Sequence, residues 1–184
     1  MESWPASLVA KYGLVLASMV GYVALALLAE HLAATGSMED AWPWFHYAAG
    51  AVFGAFVLGP YAAPSRRMAR IAALATASAM IYWLAVRFVA EAPLPFGSIV
   101  SLVISGSLAA LLSGLAAIVI APRPFRWKLV PLLLGAGALG GAAFEIRIPD
   151  DELLLAGHAT WQLLVCLALH FGFFRDGDDR RAGL

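Results

Sequence analysis

The chain has 184 residues, of which 62% are hydrophobic and 13% charged; twelve Lys and Arg balance twelve Asp and Glu, for a formal net charge of zero. Water-soluble domains carry about 25% charge, so this composition excludes an ordinary soluble globule, and the charge balance leaves no electrostatic footprint for a nucleic-acid partner. A membrane-spanning helix needs about 20 mainly apolar residues, so residues 1–184 accommodate six spans with short connectors as one all-α integral membrane domain.

In chain order, span 1 is expected over about 8–32, closing on Glu30 and His31 before a loop with Glu39 and Asp40. Its apolar run from Tyr12 to Ala29 is longer than the core of a signal peptide, and Lys11 alone precedes it, so it reads as a retained span. Span 2 covers about 44–63 between Pro43 and Pro64, and the Arg66, Arg67, Arg70 cluster follows. Span 3, about 69–90, carries Arg87 and Glu91 at its far end, spaced to pair on one helix face. Pro93 and Pro95 mark the next turn, and span 4 covers about 97–121. Pro122 and Pro124 break the chain beside Arg123, Arg126 and Lys128; span 5 then covers about 129–147 and span 6 about 153–174. The lone Cys166 sits in an apolar run and has no second cysteine to pair with.

Under this reading ten of the twelve Lys and Arg fall on one side, and eight of the twelve acids fall on the other. Cytoplasmic loops are enriched in Lys and Arg. The clusters after spans 2, 4 and 6 therefore place both termini in the cytoplasm, and the expected location is an inner (plasma) membrane of bacterial type. Gly50 with Gly54, Ser101 with Ser105, and Gly137 with Gly141 are small residues four apart, the spacing that lets membrane helices approach closely.

The outer ends of the spans hold the candidate chemistry. His46 lies in the first turn of span 2, Glu145 near the end of span 5, and His158 one to two turns into span 6. Ionisable groups at membrane depth tend to face a bundle interior or a wet cavity; the alternative, that such residues merely reach out to water, holds for Glu30, Glu91, Arg87 and Arg147. His158, Trp161 and Gln162 share one helix face. His170 lies twelve residues beyond His158, about 18 Å further along the helix, too far to share a ligand with it.

The stretch from Pro149 to Leu164, which contains Gly157-His158-Ala159-Thr160-Trp161-Gln162-Leu163-Leu164, resembles the last-helix motif of the alkaline ceramidase family of membrane hydrolases. The resemblance implies a zinc ion, held in part by His158 and His46, that activates water to cleave an amide or ester of an amphipathic lipid, with Glu145 as third ligand or base and Gln162 in the place of a family histidine. His31 is a further candidate third ligand. Bound Zn²⁺ lowers the pKa of its water to about 7, and a catalytic zinc takes three protein ligands. Where the family carries a Ser four residues before the His of its earlier motif, this chain has Trp42.

Two other readings remain open. Ser105-Gly106 on span 4, with His158 on span 6, resembles the serine nucleophile and histidine base of rhomboid intramembrane proteases, which implies peptide hydrolysis by an activated hydroxyl. Alternatively, His46 and His158 at matched depth would ligate a b-type haem from two sides, or the polar cluster would serve a non-catalytic scaffold. The expected partners are membrane lipids, one of them the substrate.

Overall fold

A computed structural model describes residues 8–36, 42–62, 65–91, 98–120, 126–144 and 152–173. Among them there is no strand. Their order is α1 (Leu8–Ala34), α2 (Trp42–Phe53), α3 (Arg67–Glu91), α4 (Ser98–Ile120), α5 (Leu129–Ala143) and α6 (Glu152–Phe173). Each helix packs on the next in sequence, and α6 returns to α1, so the six close into an antiparallel ring. The α4–α5 and α5–α6 seams are the most extensive.

The helices are apolar nearly all round, a pattern suited to burial or to lipid rather than to a water-facing surface. Val119 is 78% exposed, Leu16 66% and Leu139 65%, and these are three of a broad outer belt of large apolar side chains. Three segments, Tyr12–Ala34, Arg67–Val89 and Ile99–Ile120, are long and apolar enough to cross a membrane. At 15 residues α5 is about 22 Å long, shorter than the roughly 30 Å hydrocarbon layer. The expected end of span 5 at 147 lies outside the described residues, as do the Pro93–Pro95 turn and the loop at Asp150.

Local chemistry accounts for the start of α2 and the irregular turns at its other end. Pro43 stands in the first turn of α2, where a missing N–H costs nothing. At its other end α2 widens into a π-helical turn, Gly54–Leu58, and then tightens into a 3₁₀ turn, Gly59–Tyr61, with Pro60 inside it. Arg66 opens α3 with φ 54°, a left-handed conformation rare outside glycine.

Glycines set how near the helices come. A Cβ on Gly137 would lie 2.3 Å from the Gly106 carbonyl oxygen, and one on Gly141 would lie 2.2 Å from that of Leu102. Across the ring, Gly50 and Gly54 press the α2 backbone onto the Ser78 and Leu74 carbonyls of α3. Two apolar clusters fill the interior. The larger runs through Val15, Phe53, Leu58, Leu74, Leu133, Val165 and Leu169, and the smaller joins Tyr22, Ala29, Phe45 and Ala49 at the other end. The site lies where the two meet.

Candidate functional site

His158 projects from α6 into the ring and is 7% exposed. Gly157, immediately before it, lets the helix pass flush against the ring of Phe144, whose carbons a Cβ there would meet at 2.6 Å. Aromatic groups from three other helices enclose the imidazole. Tyr22 of α1 lies 4.2 Å away between ring centroids, Tyr82 of α3 lies at 5.3 Å, and Phe144, just past α5, meets it edge-on at 4.8 Å. The Tyr82 hydroxyl lies 2.8 Å from Nδ1 and within reach of Nε2, facing the ring edge between them. One hydroxyl serves one nitrogen at a time: it donates to the bare nitrogen or accepts from the protonated one, according to the tautomer.

His46 of α2 approaches Tyr82 from another side, with 6.1 Å between ring centroids. His46, Tyr82 and His158 together form the polar end of a cavity of about 270 Å³. The remaining walls are almost wholly apolar: Val86 and Val89 from α3, Leu102 and Ala109 from α4, Phe144 and Trp161. Trp161 is fixed by a hydrogen bond from its Nε1 to the Gly106 carbonyl oxygen, 3.2 Å. A second hollow of about 480 Å³ lies on the outer face of the α3–α4 seam, and Ala85, Ser105 and Ala109 belong to both walls. A dipolar patch at one end of an apolar slot suits a molecule with a polar head and an alkyl chain.

His46, His158 and Ser105 line one cavity. Gln162 is 2% exposed but lies one turn deeper than His158, outside the cavity lining. His31 is exposed in the last turn of α1 and does not line the cavity. Glu145 lies outside the described residues, as does the side chain of Glu91 that was expected to pair with Arg87. Arg87 stands over the Trp83 ring at 5.7 Å. His170, at the other end of α6, packs edge-on against Phe171. Ser105 donates its hydroxyl proton to the Ala85 carbonyl oxygen, 2.9 Å, rather than to His158.

Among the described residues no three His, Cys, Asp or Glu side chains converge. The donor set is two imidazoles and the Tyr82 phenol, short of the three strong ligands a catalytic zinc takes. A porphyrin held between His46 and His158 would have to displace Tyr82, which packs against both rings.

Tyr22 and Tyr82 were not anticipated from the sequence. A signal for them exists: a phenol at mid-span needs a hydrogen-bond partner when it leaves water, and Tyr22 and Tyr82 each stand in an otherwise apolar run. Comparison with known proteins adds nothing to this geometry: no family model matches the chain, nor does any curated protein or solved structure.

Proposed function

We propose that this chain is an integral membrane protein of six spans with both termini cytoplasmic, and that its cavity binds an amphipathic lipid. The single observation that carries the reading is the pairing of an apolar slot with one polar end made by His46, Tyr82 and His158. The lipid's polar group hydrogen-bonds to that end, and its chain lies along Val86, Val89, Leu102 and Ala109. The exposed apolar belt supports the membrane setting, because large aliphatic side chains at such exposure would be costly in water. Topology follows from the Lys and Arg clusters after spans 2, 4 and 6.

The resemblance to ceramidase-type hydrolases extends the proposal to cleavage of a lipid amide or ester, with Glu145 completing a zinc site alongside His46 and His158. The described donors do not themselves make that site, so lipid binding is the core of the proposal and hydrolysis its extension.

The test is lipid analysis of protein purified in mild detergent. A specific lipid should be retained in near-stoichiometric amount, and Tyr82→Phe and His158→Ala should each lose it. Retention of bulk lipid only, unchanged in both variants, would refute the reading. Elemental analysis addresses the extension: about one zinc per chain, lost in His158→Ala, supports a hydrolase. Labelling of Ser105 by a fluorophosphonate would instead favour a serine hydrolase.

A further inference from the structure

Directly beneath the His158 layer lie three buried side-chain oxygens without a hydrogen-bond partner. Tyr22, Tyr82 and His158 share one depth, on α1, α3 and α6. Because α1 and α3 run antiparallel to α6, the residues four before each tyrosine and four after the histidine fall at one level, one turn deeper. They are Ser18, Ser78 and Gln162, which share that depth and are 0%, 2% and 2% exposed. Ser18 Oγ, Ser78 Oγ and Gln162 Oε1 all lack a hydrogen-bond partner.

Their unanswered state is not how hydroxyls behave elsewhere in this fold. A serine or threonine inside a helix ordinarily donates to the carbonyl one turn back. Thr76 does so to Ala72 at 3.0 Å, and Ser107 to Val103 at 2.7 Å. Ser18 and Ser78 do not. The π-helical turn of α2 begins beside Ser78, since a Cβ on Gly54 would lie 2.7 Å from Ser78 Oγ. Turns of that kind put backbone carbonyls out of register and gather at functional positions. Further in, Val15, Phe53, Leu74 and Val165 close the interior, so the polar layer ends blind.

A buried oxygen with no partner is costly, and three at one level call for a common partner. We infer that Ser18, Ser78 and Gln162 form an internal water site, unrelated to the identity of whatever occupies the cavity above. The donor inventory fits one water: it accepts from one serine hydroxyl, and donates to the other serine oxygen and to the Gln162 carbonyl oxygen. About three hydrogen bonds are usual for a buried water. A cation fits less well, because three neutral oxygens bring no countercharge and a hard cation takes roughly six or more. With an apolar floor beneath it, the water props the Tyr82–His158 layer from below and carries nothing across the membrane.

The experiment measures thermal unfolding of the full chain in nanodiscs, for wild type, Ser78→Ala and Gln162→Met, together with a structure at a resolution that shows ordered water. A hydrated layer predicts a lower Tm for Ser78→Ala, because the water loses a partner, and a density peak touching Ser18, Ser78 and Gln162. A dry layer predicts the opposite sign: removal of an unanswered hydroxyl raises Tm or leaves it unchanged, which overturns the inference, as does an empty map at this level. Should Gln162→Met fail to fold, the sign of the Ser78→Ala shift and the map still decide. Replacing sodium by choline at equal ionic strength should leave Tm unchanged; a drop would make the layer a cation site and overturn the water assignment.

Discussion

Two glycines on one helix offer a sharp test of what holds the ring closed. Gly135 and Gly137 both lie in α5, but a Cβ at Gly135 meets nothing within 4 Å, whereas one at Gly137 would sit 2.3 Å from the Gly106 carbonyl oxygen and 2.6 Å from the Ser107 Cα. Both obstacles at Gly137 belong to backbone, which cannot rotate aside as a side chain can. Bringing the new methyl to ordinary contact requires α4 and α5 to separate by about 1 Å, and overpacking of that kind costs about 1–3 kcal/mol. Alanine gains about 1 kcal/mol over glycine in a helix interior at either position. Gly135→Ala should therefore be neutral or stabilising by up to about 1 kcal/mol, and Gly137→Ala destabilising by up to about 2 kcal/mol. The gap between the two, roughly 1–3 kcal/mol, is about 5- to 150-fold in the folding equilibrium. Cys166, the sole thiol of the chain and 2% exposed, supplies the assay: its reaction with a thiol dye during graded denaturation reports opening of the core. Equal midpoints for the two variants, or a gain for both, would refute the claim that α4 and α5 meet through backbone at Gly106 and Gly137.

Other outcomes follow from single contacts. Tyr82→Phe leaves a ring nitrogen of His158 without its hydroxyl and should lower stability by about 1–3 kcal/mol in the same dye assay. Trp161→Ala removes an indole wedged against Phe53 and bonded to the Gly106 carbonyl, and should cost about 3–5 kcal/mol; Trp161→Phe, which loses mainly the hydrogen bond, should cost about 1 kcal/mol. For topology, single cysteines are introduced at Arg67 and Thr35 in a Cys166→Ala background. An impermeant maleimide applied to intact cells should label the Thr35 position and spare the Arg67 position, and the reverse pattern would invert the orientation.

The helical class was legible in the sequence because it rests on local quantities. In hydrocarbon every backbone polar group must be satisfied within its own segment, so apolar runs of this length between proline and charged breaks become helices wherever the chain is described. The small pairs at Gly50 with Gly54 and Gly137 with Gly141 were likewise readable, and each packs directly against a neighbouring backbone. Burial of His158 followed from its polar, aromatic face with Trp161 and Gln162.

Which polar groups meet was decided only by the packing. Hydropathy leaves each helix free to rotate about its axis and says nothing of its neighbours. Glycine contacts between specific helices set that rotation here, turning Tyr22 and Tyr82 toward His158 and Ser105 toward the Ala85 carbonyl. They left His31 outside and put Gln162 below the cavity rather than in it, although one helix face joins Gln162 to His158. The π-helical turn in α2 shifts the phase of every residue after Gly54 by an amount no apolar run records. Span-forming character is thus a property of each segment alone, whereas the His46–Tyr82–His158 cluster and the Ser18–Ser78–Gln162 layer exist only because six segments close on one another at fixed angles.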